Sequence, residues 1–466
     1  MFKRVLIANR GEIAVRIIRA CQEMGIETVA VYSDEDADAM HVRLADYSYN
    51  IGPADASESY LNIDALMEAA KRTEADAVHP GYGFLSEDAD FAEMVTKAGM
   101  TWIGPWADTI RKVGDKDEAR AAMIPSGIPM SKGSTPLTSL EDAIEQAKDV
   151  GYPIILKPVA GGGGKGMLIA NSEEDLRNIL NIIDINKVKY YFEHYIEHSR
   201  HIEVQIVADN YGHVIHLGER ECSLQRRNQK LLEESPSIAL TPDRRAEVGA
   251  LAIKAAKSVH YNNIGTVEFL LDLKTNQFNF MEINPRIQVE HGVTEAVTGI
   301  DLVRTQIRIA AGESLDLQQE DVKFTGHAIE CRINAEDPDN NFMPSPGKID
   351  FFLEPGGPRV RVDSGVCAGL SISPYYDSLI AKIVVHGRTR GDAIKIMRRA
   401  LNEFKVGGIK TTIPLHQRIL KNEYFCTGDI DTRFIRNHFS KYVQPMTPAQ
   451  LKASKKAKTE KKLLML

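Results

Sequence analysis

Apolar and polar residues follow two alternating rhythms through the first hundred residues. Short apolar runs such as RVLIAN, at residues 4–9, have the length of buried strands. The next segment repeats Ile13, Ile17, Cys21 and Met24 at the spacing of one helix face. Strand-like and helix-like segments alternate as far as MTWIGP, so the pattern predicts an α/β domain with a largely parallel sheet.

The later segments predict three further parts. Pro, Gly and Ser are frequent at about residues 127–134, which marks a boundary. A strand, a glycine-rich loop and a helix follow, and strand-rich and then mixed segments continue to Phe439. The chain ends in KASKKAKTEKK, a charge run typical of a disordered end. We expect an N-terminal α/β domain at 1–112, a central region at 113–330 with a lid at about 130–203, an α+β C-terminal domain at 331–440, and a flexible tail at 441–466.

Composition narrows the class of protein. The 466 residues, 43% apolar and 26% charged, are sufficient for several packed cores. A net charge of −7 argues against a surface for nucleic acid or anionic membranes. No apolar run reaches the roughly 18 to 20 residues that span a bilayer. Five dispersed cysteines without a CxxC pair suit a reducing compartment. We therefore expect a cytoplasmic protein that binds neither nucleic acid nor membrane.

A glycine-rich loop, GGGGKGM at 161–167, follows a strand that contains Lys157. Its glycines allow backbone N–H groups to approach phosphate oxygens, and lysines add positive charge. The loop lacks the G-K-[ST] ending of a Walker A motif. Only Gly11 lies between the first strand and helix, so the dinucleotide fingerprint is absent and NAD binding loses its main support. A glycine run is also typical of a linker, so the loop alone leaves both interpretations open.

The segment GTVEFLLDLKTNQFNFMEIN predicts a hairpin with two facing glutamates. If the turn is centred near Thr275, Glu268 and Glu282 lie directly opposite each other on adjacent strands. Facing carboxylates repel unless a cation bridges them, and Mg²⁺ or Mn²⁺ prefers such oxygen ligands. Asn284 offers another oxygen on the same face. Two solvated glutamates on an exposed hairpin remain the alternative.

The stretch EINPRIQVEH places a polar residue at every second position. In an extended chain these five side chains line one face, while Ile, Pro, Ile and Val line the other. An edge strand that faces water would show the same pattern. The polar positions are Glu282, Asn284, Arg286, Gln288 and Glu290.

The strand that contains Lys157, the glycine-rich loop and the hairpin with two glutamates, in this order, resemble the ATP-grasp enzymes. Six stretches narrow the resemblance to the biotin carboxylase family, and it covers roughly residues 1–440. The resemblance implies an ATP-grasp fold with an N-terminal parallel-sheet domain, a glycine-rich lid and a C-terminal biotin carboxylase domain. The stretches are ANRGEIAVR, HPGYGFLSE, KPVAGGGGKGM, ERECSLQRRNQK, EINPRIQVEHGVTE and GHAIECRINAEDP.

The resemblance also implies a role for each matching position. The implied nucleotide-binding residues are Lys116, Lys157, Gly163, Gly164, Glu193, His194, Tyr195, Ile196, His201, Gln225, Asn228, Glu268 and Glu282. The implied metal ligands are Glu268, Glu282 and Asn284, and the implied bicarbonate pocket is Lys230, Arg286, Gln288 and Val289. Glu290 is the implied general base, Arg286, Lys230 and Arg332 act with it, and Tyr82 and Arg332 contact biotin. Two positions depart from the family pattern, because His194 and Asn228 stand where relatives commonly have Lys and His.

The implied activity is ATP-dependent carboxylation of biotin by bicarbonate through carboxyphosphate, with two Mg²⁺ or Mn²⁺ ions. No EAMKM-like biotinylation segment occurs, so we expect biotin on a separate carrier protein and a separate carboxyltransferase, and the family implies a homodimer. The final acceptor, such as acetyl-CoA, propionyl-CoA or pyruvate, is not readable.

Two alternative functions remain. An ATP-grasp ligase that joins an acylphosphate to an amine is disfavoured by HPGYGFLSE and IQVEH. A catalytically silent nucleotide-binding subunit is disfavoured because Lys230, Glu282, Arg286, Glu290 and Arg332 occur together.

Overall fold

The computed structural model describes residues 1–159, 166–185 and 187–439. Gly163, Gly164 and the lysine-rich tail therefore lie outside the described residues. Within the described ranges, no helix combines the length and apolar character that a membrane crossing requires.

The N-terminal unit is the predicted parallel α/β domain. Its apolar runs form a five-stranded parallel sheet in the order β3-β2-β1-β4-β5, and the apolar side chains of β1 are buried between helices on both faces. Two further helices, α5 (Ala107–Gly114) and α6 (Lys116–Met123), lead out of this unit. The elements of the unit are β1 (Arg4–Ile7), α1 (Gly11–Glu23), β2 (Glu27–Tyr32), α2 (Met40–Leu44), β3 (Tyr47–Asn50), α3 (Ile63–Arg72), β4 (Ala77–His79), α4 (Ala89–Lys97) and β5 (Thr101–Trp102).

The lid unit has a small core of its own. Its three strands form an antiparallel sheet in the order β7-β6-β8, and Leu156, Leu176 and Phe192 fill the space between sheet and helices. The elements are α7 (Leu140–Val150), β6 (Ile154–Pro158), β7 (Leu168–Ala170), α8 (Glu173–Ile182) and β8 (Tyr190–His194).

The remaining elements alternate strands and helices as far as residue 438. The central ones are β9 (Ser199–Ala208), β10 (Val214–Arg226), β11 (Gln229–Ser235), α9 (Pro242–Ser258), β12 (Asn263–Asp272), β13 (Phe278–Asn284), α10 (His291–Thr298), α11 (Leu302–Ala310) and β14 (His327–Asn334). The C-terminal ones are β15 (Glu336–Asp337), β16 (Met343–Pro344), β17 (Gly347–Lys348), β18 (Phe351–Leu353), β19 (Val360–Ser364), β20 (Ser371–Ile372), β21 (Leu379–Gly387), α12 (Arg390–Glu403), β22 (Lys405–Gly407), α13 (Ile413–Ile419), α14 (Glu423–Thr427) and α15 (Phe434–His438). Four 3₁₀ helices also lie in the described connections, at Asp34–Asp36, Ala56–Glu58, Gln319–Asp321 and Pro338–Asn340.

One eight-stranded antiparallel sheet joins the central and C-terminal parts. Its order is β13-β12-β9-β10-β11-β14-β21-β19, and β14 crosses the expected domain boundary at 330/331. Ile329, Cys331 and Ile383 lie on one face and pack in the C-terminal core. Residues of the opposite parity, including Arg332 and Lys382, lie on the face that α10 covers. Alternation along two strands therefore separates an apolar core from a charged layer.

Glu234 ties three elements of the C-terminal core together. His327 Nε2 lies 2.7 Å from its carboxylate and Arg390 Nε donates to it at 2.6 Å. Burial alone would raise the pKa of Glu234, but His327 and Arg390 outweigh burial and lower it to about 2. A carboxylate whose folded pKa is depressed stabilises the fold above its unfolded pKa and loses that contribution as the pH falls.

We expect Glu234→Gln to lower the free energy of unfolding by on the order of 3 kcal/mol at pH 7. The deficit relative to the parent protein should narrow as the pH falls below about 4.5, because the parent carboxylate becomes protonated in the unfolded state. Urea denaturation of both proteins at pH 7, 4.5 and 3.5 measures this. The exposed Glu145→Gln serves as the control and should change stability by less than about 0.5 kcal/mol. A deficit that is constant with pH would contradict the assignment.

Candidate active site

The two glutamates of the β12–β13 hairpin face each other as predicted. Glu268 pairs directly with Glu282, and Thr266 pairs with Asn284 two residues away on the same face. The pairing shifts by one residue next to Glu268, so the pairs nearer the turn follow a different register. Both carboxylates therefore lie on one face of the large sheet.

The prediction of one continuous extended face from Glu282 to Glu290 is wrong after Asn284. Strand β13 ends at Asn284, and Pro285 follows it. Proline has no N–H group and cannot continue a strand ladder on that side. The chain then bends, and Glu290 occupies the position that precedes the first turn of α10.

The polar side chains of this bent segment nevertheless converge. Asn284 Nδ2 and Gln288 Nε2 donate to Glu268 Oε1 at 3.0 and 3.2 Å. Arg286 Nη1 donates to Gln288 Oε1 at 2.8 Å, and its Nη2 donates to Asn284 Oδ1 at 3.3 Å. Arg286 also contacts Glu87, which belongs to the HPGYGFLSE stretch. The fold thus brings Asn284 and Gln288 directly onto the Glu268 carboxylate and links Arg286 to it through their side chains.

Lys230 is the cation at the centre of the site. Its Nζ donates to Glu203 at 2.5 Å, to Glu268 at 3.1 Å and to Glu290 at 2.6 Å. Burial favours the neutral amine, but the three carboxylates outweigh burial and hold the pKa of Lys230 well above its usual value. One ammonium therefore links the hairpin glutamate, the segment before α10 and strand β9.

Glu290 lies between two cations. Besides Lys230, Arg332 Nη2 donates to its carboxylate at 2.9 Å. Burial would raise the pKa of Glu290, but Lys230 and Arg332 hold it well below its ordinary range. Glu290 is therefore ionised at neutral pH.

Arg332 also contacts a second glutamate. Its Nε donates to Glu233 at 2.7 Å, and burial raises the pKa of Glu233 to about 7 against the pull of Arg332.

A second cluster of charges lies on the lid side of the site. Lys157 Nζ donates to Glu193 at 2.7 Å, and Arg120 Nη1 donates to the other oxygen of this carboxylate at 3.0 Å. Burial lowers the pKa of Lys116, and the charge of Lys157 lowers it further, against the pull of Glu282. Two lysines thus lie near the hairpin glutamates, and the Glu193 side chain is held by cations.

Residues 193–196, which the resemblance implies as the adenine-binding hinge, comprise the last two residues of strand β8 and the two that follow it. His194 N donates to Lys132 O at 2.8 Å and Tyr195 N donates to Pro153 O at 2.8 Å, while Ile196 is half-buried. These backbone bonds join the hinge to the lid unit.

The other expected nucleotide-binding residues lie on the large sheet. His201 Nε2 lies 2.9 Å from Glu268, which places this ring at the hairpin. Gln225 pairs with Lys230 across β10 and β11. Asn228 is exposed at the tip of that hairpin, where Arg227 and Asn228 have φ of 50° and 64°. Positive φ at both central residues is the geometry of a type I′ turn, which asparagine tolerates well.

Tyr82 reaches the site from the N-terminal unit. Its hydroxyl donates to Glu12 in α1, and Glu12 Oε1 lies 3.3 Å from Lys382 Nζ. Asn9 Nδ2 donates to the carbonyl of Tyr82 at 2.7 Å and fixes the loop after β4.

Sequence reasoning missed several charged residues of the site. Glu12 and Glu87 lie within the ANRGEIAVR and HPGYGFLSE stretches, so membership of a motif was a signal that could have found them. The other positions gave no local signal of their charged partners. The missed residues are Glu12, Glu87, Arg120, Glu203, Glu233 and Lys382.

The donor set of the hairpin fits a divalent cation. Burial raises the pKa of Glu282, and the charge of Glu268 raises it further. Among the residues the structure describes, no hydrogen bond or ion pair to the Glu282 carboxylate is found. Two groups, His201–Glu203–Glu268 and Glu203–Cys222–Glu290, bring their ligand atoms within 4.8 Å of one another. Lys230 contacts carboxylates in both of those groups, and it also contacts Glu268. The Glu282 carboxylate has no such contact among the described residues, so its oxygens are available to a cation.

The parallel N-terminal sheet, the separate lid and the glutamate pair on a long antiparallel sheet define the class of ATP-grasp enzymes. Three family models match the chain: "Biotin carboxylase, N-terminal domain" at residues 1–110, "Carbamoyl-phosphate synthase L chain, ATP binding domain" at 115–318, and "Biotin carboxylase C-terminal domain" at 330–437. The chain belongs to the biotin carboxylase family.

Similar curated proteins agree with this membership. Biotin carboxylase 1 of Bacillus subtilis is 54% identical over 445 residues, which cover 94% of this chain and 99% of that protein. A pyruvate carboxylase subunit of Methanothermobacter thermautotrophicus is 47% identical over 442 residues, which cover 93% and 90% of the two chains.

Two solved structures of biotin carboxylases are similar to this chain in both fold and sequence. The biotin carboxylase domain dimer of the Hydrogenobacter thermophilus 2-oxoglutarate carboxylase, in complex with MgADP, ADP and bicarbonate, has a TM-score of 0.91 at 47% identity. That comparison covers 96% of this chain and 100% of the other. The biotin carboxylase of Campylobacter jejuni, in a β,γ-ATP complex, has a TM-score of 0.90 at 45% identity and covers 94% and 99% of the two chains.

Proposed function

We propose that this chain carboxylates biotin on a separate carrier protein, using ATP and bicarbonate and releasing ADP and phosphate. The observation that carries the proposal is the position of Glu290, an ionised carboxylate held between Lys230 and Arg332 beside the glutamate pair. Family membership and the bicarbonate in the similar Hydrogenobacter structure support it.

The nucleotide binds between the lid and the large sheet in this proposal. Lys116 and Lys157 contact phosphate oxygens, and the backbone at Tyr195 and Ile196 faces the adenine. A divalent ion held by Glu268, Glu282 and Asn284 would offset the negative charge of the phosphates. The half-buried lysines and the acidic hairpin are thus matched to a metal-bound polyphosphate rather than to an uncharged ligand.

Bicarbonate occupies the space beside Arg286, Gln288 and the backbone of Val289. Glu290 accepts the proton of the bicarbonate O–H, and the freed oxygen attacks the γ-phosphorus. The bond between this phosphorus and the β-γ bridging oxygen breaks, so that ADP leaves and carboxyphosphate forms. Substrate anions that engage Lys230 and Arg332 weaken the hold of both cations on Glu290, which raises its pKa and makes it a better base.

Biotin approaches from the side of Tyr82 and Arg332. The C–O bond of carboxyphosphate breaks to give CO₂ and phosphate, and the phosphate accepts the proton of biotin N1. The nitrogen then attacks CO₂, and the negative charge that develops on the ureido oxygen faces the Arg332 guanidinium. Among these residues, Arg332 is fixed on both sides by Glu233 and Glu290, which orients its charge before the substrate arrives.

The proposed reaction needs partner proteins, because carboxybiotin on a carrier must pass its carboxyl group to an acceptor. We propose that a biotinylated carrier and a carboxyltransferase complete the reaction, that the chain forms a homodimer, and that it works in the cytoplasm. Similar proteins named as subunits of pyruvate and 2-oxoglutarate carboxylases support the separate partners. All five cysteines are free thiols, which supports a reducing compartment.

Steady-state ATP hydrolysis with Mg²⁺ tests the proposal. We expect hydrolysis to require bicarbonate and to rise with free biotin, and ¹⁴C from bicarbonate to appear in carboxybiotin. Hydrolysis that ignores bicarbonate but responds to an amine would favour a ligase. Nucleotide binding without turnover would favour a silent subunit.

A further inference from the structure

Lys382 is a fully buried lysine that the proposed mechanism does not use. It lies on β21, on the face of the large sheet that α10 covers, and its side chain is 0% exposed. Its Nζ lies 3.3 Å from Glu12 Oε1 and 3.9 Å from Asp363 Oδ2, and it donates to the carbonyl of Val289. Burying an ammonium is unfavourable unless its partners compensate, so these contacts account for its charge.

The hydrogen bond from Lys382 to the carbonyl of Val289 lies in residues 285–290, the segment that contacts bicarbonate in the proposed mechanism. Residues 285–290 form no strand ladder, so their backbone groups depend on other partners. Lys382 holds the carbonyl of Val289, and the His291 ring holds the carbonyl of Gln288 at 2.8 Å through Nδ1. The two peptide groups that precede Glu290 are therefore both fixed by buried side chains from outside the segment. A charged donor makes the stronger of these two bonds.

The contact between Lys382 and Glu12 connects this lysine to Tyr82, on the side of the site where biotin is proposed to bind. The Glu12 oxygen that faces Lys382 also accepts the hydrogen bond of the Tyr82 hydroxyl. One carboxylate from α1 thus connects the tyrosine on the biotin side with the lysine that fixes the bicarbonate side. The three residues come from α1, the loop after β4, and β21, which are distant along the chain.

We propose that Lys382 is a positioning residue, which sets the orientation of the Val289–Glu290 segment toward bicarbonate and, through Glu12, couples it to Tyr82. The inference rests on the proposed function, because it assigns bicarbonate to this segment. It predicts that bicarbonate use depends on Lys382 more strongly than ATP use does. A role confined to stability would instead reduce the fraction of active protein and leave every KM unchanged.

The test compares Lys382→Met and the double variant Lys382→Met/Glu12→Gln with the parent full-length chain. Methionine keeps much of the side-chain length without the charge, and the double variant leaves no unpaired Glu12 carboxylate. We expect KM for bicarbonate to rise about tenfold in both variants, KM for ATP to stay within about twofold, and carboxybiotin formed per ATP hydrolysed to fall. Lys348→Met, at an exposed lysine of β17, is the matched control and should change none of these values.

The outcomes separate the two proposals. An unchanged KM for bicarbonate in folded Lys382→Met would overturn the inference. If that variant does not fold, Glu12→Gln decides, because glutamine keeps the shape and one acceptor oxygen. A rise of about threefold in KM for both bicarbonate and biotin would support the coupling, and no change in either would overturn it. A parent protein whose ATP hydrolysis ignores bicarbonate would instead reject the proposed function itself.

Discussion

Glu290→Gln is expected to lower kcat for bicarbonate-dependent ATP hydrolysis by about 10²- to 10⁴-fold, the usual contribution of a positioned general base. Glutamine retains an acceptor oxygen but cannot accept the bicarbonate proton. In the parent protein Lys230 and Arg332 keep the pKa of Glu290 well below its usual range, so the carboxylate is present across the neutral pH range. Initial-rate measurements at saturating ATP and bicarbonate, with ADP affinity measured in parallel, test the expectation.

Glu203→Gln is the matched control for this variant. Glu203 contacts the same Lys230 ammonium and is equally buried, but it lies outside the bicarbonate segment. A loss of the same size in Glu203→Gln would attribute the effect to the electrostatics of Lys230 rather than to proton transfer. Near-normal turnover in Glu290→Gln would reject Glu290 as the base.

Lys230→Met is expected to abolish turnover and to lower the free energy of unfolding by about 3 to 5 kcal/mol, the typical result of removing one member of a buried ion pair. The change leaves Glu203, Glu268 and Glu290 close together without their shared ammonium. Part of the cost is relieved when a proton binds one of these carboxylates.

The pH dependence distinguishes this explanation from a packing defect. In the parent protein the pKa values of Glu268 and Glu290 are lowered, so both carboxylates stay ionised between pH 5 and pH 8 and add little pH dependence to stability there. In Lys230→Met the same buried carboxylates lose their shared cation, so we expect their pKa values to rise and the variant to lose stability as the pH increases from 5 to 8. The stability gap between parent and Lys230→Met should therefore be wider at pH 8 than at pH 5. Urea denaturation at both values measures it, with Lys274→Met at the exposed hairpin turn as control. A gap that does not change with pH would indicate lost packing alone.

Local sequence was sufficient for several features of the site. The β12–β13 hairpin and its facing glutamates were predictable because both strands and the turn lie within about twenty neighbouring residues, and pairing near a turn follows from its position. The parallel N-terminal sheet was predictable because its strands and helices alternate at recognisable periods.

Other features depended on tertiary contacts. The alternation from Glu282 to Glu290 looks the same whether the chain stays extended or bends, so the bend after Pro285 was not readable from the pattern. Glu203, Glu233 and Lys382 come from strands far from Glu290 in sequence, and a charged residue in a strand carries no local signal of a partner that distant.

The sequence by itself determined the alternation of elements in the N-terminal unit, the pairing of Glu268 with Glu282 and, through its motifs, the family of this protein. Only the tertiary structure decided which charges meet, that one ammonium serves three carboxylates, and that a buried lysine fixes the peptide before Glu290. The physical reason is the range of the interactions: periodicity and turn chemistry act over a few residues, whereas the protonation and orientation of a catalytic group depend on every charge that the packed sheets and helices bring to it.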